Sequence, residues 1–171
     1  MPEGPARPVV VLIGAPGAGK TRLGKRIGRL LGVPFVDTDK RIVAAHGPIA
    51  AIFAEHGEAR FRAIEREQVA RALSERAVVA LGGGAVLDAA TQADLAGHRV
   101  VQLTVSREAV EKRIVGDKRP LVNGVEAWAA LVEVRRPIYD LLADRTFDTS
   151  NLPLDSIAAD VVSWIQENPH D

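Results

Sequence analysis

The run Gly14-Ala15-Pro16-Gly17-Ala18-Gly19-Lys20-Thr21 constrains this chain more than any other stretch. It follows the apolar residues Val9-Val10-Val11-Leu12-Ile13 and leads into Arg22-Leu23-Gly24-Lys25-Arg26-Ile27, which reads as strand, glycine-rich turn, helix. The turn fits the pattern G-x-x-x-x-G-K-[ST] at every fixed position. Gly14, Gly17 and Gly19 open backbone conformations closed to residues with a Cβ, so successive N–H groups can converge on phosphate oxygens. A helix starting near Lys20 aims its positive end at the same anion. Lys20 can reach the β- and γ-phosphates, and the Thr21 hydroxyl can ligate Mg²⁺. These residues predict a nucleoside triphosphate site with Mg²⁺ as its cofactor.

Beyond this loop, short apolar strands alternate with helical periodicity, the signature of a parallel sheet flanked by helices. The spacing predicts a helix from about Lys20 to Leu31, ended by Gly32, and a short strand Phe35-Val36-Asp37. Residues 39–74 read as helices broken at Gly47-Pro48 and at His56-Gly57. Further strands are expected at 77–81, 99–105 and 146–149, and further helices at 107–114, 125–142 and 154–166, with Ser106 as an N-cap. The expected fold is α/β: five short parallel strands in an open sheet with helices on both faces. In such a sheet the ligand crevice lies beyond the carboxyl ends of the strands.

Composition closes off other classes. The 171 residues suit a single domain with a real core, and residues 1–8 read as a short disordered lead without the apolar segment of a signal peptide. Lys+Arg and Asp+Glu both number 22, so no global field favours nucleic acid or an anionic membrane. No cysteine is present and the four histidines, His46, His56, His98 and His170, lack ligand spacing and are expected to be solvent-exposed. No apolar run approaches the ~18 residues of a membrane span. A cytoplasmic monomer acting on small molecules is the expectation, since no long apolar stripe stands uncovered.

Whatever follows each strand's C-terminal end faces the crevice. Asp37-Thr38-Asp39 follows the second strand. Two carboxylates two residues apart on an extended segment point to one side, so one could hold the water shell of a metal while the other takes a hydroxyl proton. The plainer alternative makes Asp39 a helix N-cap and Asp37 a solvated strand end. Gly82-Gly83-Gly84 follows the third strand, and three glycines suit close approach of backbone to a ligand better than a plain connection. Among the arginines, Arg62 has Glu65 one helical turn on, able to orient its guanidinium. Arg119 lies in the polar segment 116–124 and Arg135 in Arg135-Arg136-Pro137-Ile138-Tyr139. Guanidinium groups match carboxylates and phosphates with paired hydrogen bonds, but spacing alone does not select these three.

Taken together, the phosphate loop, Asp37-Thr38-Asp39, Phe61-Arg62-x-x-Glu65, Leu81-Gly82-Gly83-Gly84-Ala85, Arg119-Pro120-Leu121 and Arg135-x-Pro137-x-Tyr139 resemble, in order and spacing, the shikimate kinases. The resemblance covers roughly residues 9–165. It implies the three-layer P-loop fold of the nucleoside-monophosphate-kinase type, with a substrate-binding helical region about 38–75 and a lid about 114–125. It further implies transfer of phosphoryl from ATP to the 3-hydroxyl of shikimate, a step toward chorismate and the aromatic amino acids. Under it, Gly17, Ala18, Gly19, Lys20, Thr21, Arg22, Arg113, Arg119 and Pro153 would bind ATP, with Arg113 stacking on adenine and Arg119 swinging in with the lid. Thr21 and Asp37 would serve Mg²⁺. Asp39, Phe53, Phe61, Arg62, Gly82, Gly83, Gly84 and Arg135 would bind shikimate, with Arg62 and Arg135 on its carboxylate and Phe53 and Phe61 lining the pocket. Lys20, Asp39 and Arg119 would be catalytic, and Glu65 would position Arg62.

The chain also departs from that family. Between Gly47 and Phe53 it is one residue shorter than usual, and Pro48 stands where it could start a helix. Ser150-Asn151-Leu152-Pro153 lacks the arginine that many members carry near the adenine. Two other readings remain at this stage: a kinase of another small polyol acid, such as gluconate, and a nucleotide-binding regulator without turnover.

Overall fold

The computed structural model describes residues 4–116, 124–151 and 153–169, with the backbone alone at 114–116. Five strands form one parallel sheet: β1 (Val10–Gly14), β2 (Phe35–Asp37), β3 (Val78–Ala80), β4 (Val100–Thr104) and β5 (Arg145–Asp148), in the spatial order β2-β3-β1-β4-β5. The central strand β1 pairs with β3 through Val10↔Val78 and with β4 through Val11↔Val100. Connections leave β1 first to one side of the sheet and later to the other. The crevice at this reversal therefore opens at the carboxyl end of β1, where the phosphate loop begins.

Both faces of the sheet are covered, which is why its strands are apolar at consecutive positions. Val11, Ile13, Val79 and Leu81 point into one core with Val69, Val86 and Tyr139. Val10, Leu12, Val78 and Ala80 point into the other with Leu23, Ile27, Ile157 and Val161. The second core is closed by α1 (Lys20–Leu31) and α7 (Leu154–Glu167). The first is closed by α3 (Ile49–Ala72), a 3-10 turn at Ala85–Leu87 leading to α4 (Ala89–Leu95), and α6 (Gly124–Leu142). A smaller cluster, Ile42, Ile52, Phe61 and Ile64, joins α2 (Thr38–His46) to α3 apart from the sheet. Helix α5 (Arg107–Gly116) starts where the Ser106 hydroxyl accepts from Ala109 N–H at 3.1 Å.

The expected breaks are present. Gly32 caps α1 in the left-handed conformation at φ 67°. Pro48 precedes the first turn of α3, and Gly57 at φ 82° kinks that helix where the chain changes direction. Two expectations are corrected. Asp37, not Asp39, caps α2: its Oδ1 accepts from Lys40 N–H at 3.2 Å, and Asp39 stands in the helix's first turn. His98 is half-buried, its Nδ1 has no hydrogen-bond partner, and burial lowers its pKa; His46 and His56 are exposed, and His170 lies outside the described residues. Among the described residues no helix is long and apolar enough to cross a membrane.

Candidate active site

The phosphate loop is a tight bend between a buried strand and a helix with no side-chain cap. Gly14 takes φ 140° and lies so close to β4 that a Cβ there would stand 2.2 Å from Leu103 O. Gly17 and Gly19 also have positive φ, 85° and 91°. The first turn of α1 has neither a side-chain cap nor an acidic residue, so its positive end stays uncompensated and directed at the loop. Lys20 turns back into the bend, donating from Nζ to Gly14 O at 2.6 Å and Ala15 O at 3.0 Å. Burial pushes its pKa down to about 8, against the opposing pull of Asp39 and Asp37.

The two carboxylates reach the loop by a different route from the one their spacing suggested. The strand ends at Asp37 and the helix begins at Thr38, so Asp37 and Asp39 are neighbours across a strand-to-helix junction rather than on one extended segment. Asp37 Oδ2 accepts from the Thr21 hydroxyl at 2.9 Å, bringing two oxygen donors together at the foot of α1. Thr38 between them is fully buried; its hydroxyl donates to Ala80 O at 3.4 Å and accepts from Gly82 N–H at 3.3 Å, locking the junction to the end of β3. Asp39 has its pKa raised, by burial first and then by Asp37, with Lys20 and Arg62 pulling the other way.

Gly82-Gly83-Gly84 explains itself by what each missing side chain leaves room for. A Cβ on Gly82 would stand 2.5 Å from Asp39 Oδ1; on Gly83, 3.1 Å from Arg135 Nη1; on Gly84, 2.6 Å from Arg62 Nη1. Three successive glycines thus let a carboxylate and two guanidinium groups close over one short piece of backbone. Arg62 donates from Nη1 to Glu65 Oε1 at 2.8 Å and lies 5.3 Å from the Phe61 ring centroid. Glu65 is buried, which raises its pKa against the opposing effect of Arg62. Phe53 and Phe61 stack at 4.8 Å, with Phe53 on the open side and Phe61 buried. Arg62, Arg135, Asp39 and Lys20 therefore share one electrostatic neighbourhood.

The nucleotide side is less complete. Arg113 donates to Gly17 O at 2.7 Å and Thr149 O at 2.6 Å, bridging the phosphate loop to the end of β5. Arg22 is exposed on the first turn of α1, and Pro153 stands at the start of α7. Arg119 and residues 117–123 of the expected lid lie outside the described residues. Three side chains that sequence reasoning did not single out hold the site from behind. Trp128 Nε1 donates to Pro16 O at 2.7 Å, the Tyr139 hydroxyl donates to Gly83 O at 2.6 Å, and the Thr149 hydroxyl donates to Ala18 O at 2.7 Å. Their partners are backbone carbonyls between 56 and 131 residues away, so no local pattern announces them. Only Tyr139 had a signal, its place in the Arg135-x-Pro137-x-Tyr139 motif.

Comparison with known proteins points one way. The family model described as shikimate kinase matches residues 16–166. A shikimate kinase of Thermobifida fusca is 51% identical over 150 residues, covering 85% of this chain and 87% of the relative. One of Salinispora tropica is 46% identical over 163 residues, covering 92% and 98%. The structure of a shikimate kinase from Acinetobacter baumannii in complex with shikimate superposes with a TM-score of 0.86 at 31% identity, covering 97% of this chain and 96% of that one.

Proposed function

The chain belongs to the shikimate kinase family, and from that premise we propose which of its residues carry ATP-dependent phosphorylation of shikimate and how. The observation that carries the assignment is the closure of Asp39, Arg135 and Arg62 over three successive glycines. A small carboxylic acid with several hydroxyls suits that set: the two guanidiniums take its carboxylate and Asp39 takes a hydroxyl. Asp39, its pKa raised by burial, orients the attacking 3-hydroxyl and accepts its proton as the oxygen bonds to the γ-phosphorus of ATP and the bond from that phosphorus to ADP breaks. Phe53 and Phe61 wall the ring, and Glu65 fixes the angle of Arg62.

Phosphoryl transfer asks mainly for alignment and charge neutralisation. Lys20 exchanges the carbonyls of Gly14 and Ala15 for phosphate oxygens, and the anion favours its charged form. Arg119 adds a second cation, and the backbone of Gly17, Ala18 and Gly19 with Arg22, Arg113 and Pro153 completes the ATP site. The Thr21 hydroxyl and Asp37 carboxylate, adjacent hard-oxygen donors, are the residues that would hold Mg²⁺. When bound, Mg²⁺ neutralises charge developing on the transferred group. Residues 38–75 are assigned to acceptor binding and 114–125 to a lid that excludes water. A gluconate-type kinase and an inactive regulator are not favoured.

Arg62→Ala tests the assignment. Loss of a charge-assisted pair, about 1.5–3 kcal/mol, should raise the KM for shikimate about 10- to 100-fold while leaving the KM for ATP within about 2-fold. An unchanged shikimate KM removes Arg62 from the carboxylate clamp.

A further inference from the structure

Helix α6 grips both loops that the reaction uses. Near its start, Trp128 Nε1 donates to Pro16 O in the phosphate loop at 2.7 Å. Near its end, the Tyr139 hydroxyl donates to Gly83 O in the glycine segment at 2.6 Å. Both side chains are buried, with 6% and 1% of their surface exposed. The two loops also meet directly, since a Cβ on Gly83 would stand 3.4 Å from Pro16 Cγ and Cδ. Under the site reading above, the first loop carries the phosphoryl donor and the second the acceptor.

Packing between the two grips is incomplete. A cavity of about 40 Å³ lies between α6 and β4, lined by Ala15, Leu103, Val132 and Tyr139 among others. On either side of it both rings are held in apolar clusters, Trp128 with Ala15 and Val110 and Tyr139 with Val79 and Val86, so each polar contact is made from a side chain fixed in place. Trp128 and Tyr139 leave the helix eleven residues apart, about 16 Å along its axis at 1.5 Å per residue, and their side chains converge on two loops that meet at Pro16 and Gly83. Arg135 stands one turn before Tyr139, and its Nη1 would lie 3.1 Å from a Cβ on Gly83, so the acceptor end of the helix brings a guanidinium to the same backbone that Tyr139 holds.

We propose that α6 is a brace in which Trp128 and Tyr139 act as positioning residues, holding the phosphate loop and the glycine segment at the separation that phosphoryl transfer requires. Neither side chain touches substrate in this role. Each holds one carbonyl of one loop, and the stiffness of the helix converts the two contacts into one distance. This rests on the site reading given above. Transfer between two bound substrates is sensitive to such a distance, because a misplacement of about 1 Å can cost about 100-fold in rate.

The test is a double-mutant cycle with Trp128→Phe and Tyr139→Phe, each removing a donor while keeping an aromatic ring. Each single variant should lower kcat about 10-fold. Trp128→Phe should leave both KM values within about 2-fold, whereas Tyr139→Phe should also raise the KM for shikimate by releasing the Gly83 backbone against which Arg135 lies. Two independent structural defects would multiply to about 100-fold. A brace is released by breaking either end, so the double variant should lose no more than about 20-fold. Multiplying losses, or kcat values equal to wild type, overturn the proposal. If Trp128→Phe does not fold, Tyr139→Phe decides alone: an unchanged kcat at saturation with both substrates overturns the brace. The cycle is read on whichever acceptor the wild-type protein phosphorylates, so absence of shikimate turnover would overturn the family reading and not the brace.

Discussion

Asp39 and Lys20 show how burial tunes a pair of opposite charges. Desolvation moves each toward its neutral form, raising Asp39 and lowering Lys20 to about 8, and each opposes the shift of the other. For Asp39, a folded-state pKa above the unfolded value means that stability is greatest when the carboxyl is protonated and is lost as pH rises through the folded pKa. Once ionised, the group therefore costs stability. Asp39→Asn should lower kcat at least about 100-fold with ATP affinity retained, and should raise Tm by about 2–4 °C for each kcal/mol recovered. Near-normal turnover, or a lowered Tm, contradicts that role. For Lys20 the charged form is the one that meets phosphate. In the free enzyme that charge is lost above about pH 8, so kcat/KM for ATP should fall there, and a flat profile to about pH 10 would contradict it.

At the scale of elements, strands and breaks were legible because their causes are local. Consecutive apolar residues marked β1, β3 and β4, and Gly32, Gly57 and Ser106 marked ends and kinks where the structure has them. The phosphate loop was legible for the same reason, since its glycines are required by its own backbone. Gly14 makes the sharpest case: Gly14→Ala puts a Cβ 2.2 Å from Leu103 O at φ 140°, where neither strand can yield without breaking the sheet. A loss of at least about 3 kcal/mol is expected in denaturant unfolding, and a loss under about 1 kcal/mol would show that the bend relaxes freely. Less legible was the junction of β2 with α2. Period-2 spacing put Asp37 and Asp39 on one side of a strand, but helix capping by Asp37 won, and the carboxylates meet through a turn instead. Trp128 and Thr149 were hidden because their partners lie on distant loops, and a half-buried histidine such as His98 has no signature in spacing at all.

In the molecule as a whole, sheet order turns scattered motifs into one site. Because β3 and β4 flank β1, the glycine segment that follows β3 arrives beside the phosphate loop. Thr38 then ties the carboxylate junction to the glycine segment, Asp37 ties it to Thr21 at the foot of α1, and α3 brings Arg62 and Glu65 over the glycines. Net charge is zero, so attraction for two anionic substrates comes from this local convergence of Lys20, Arg62 and Arg135 rather than from a global field. The central claim is that this convergence selects shikimate as acceptor for the phosphoryl group of ATP. It is tested most directly by measuring ADP release with Mg²⁺ and ATP in parallel reactions containing shikimate, gluconate or no acceptor, and identifying the product by phosphorus NMR. The expected result is release dependent on shikimate, with phosphate on its 3-hydroxyl. Turnover with gluconate and none with shikimate would contradict it.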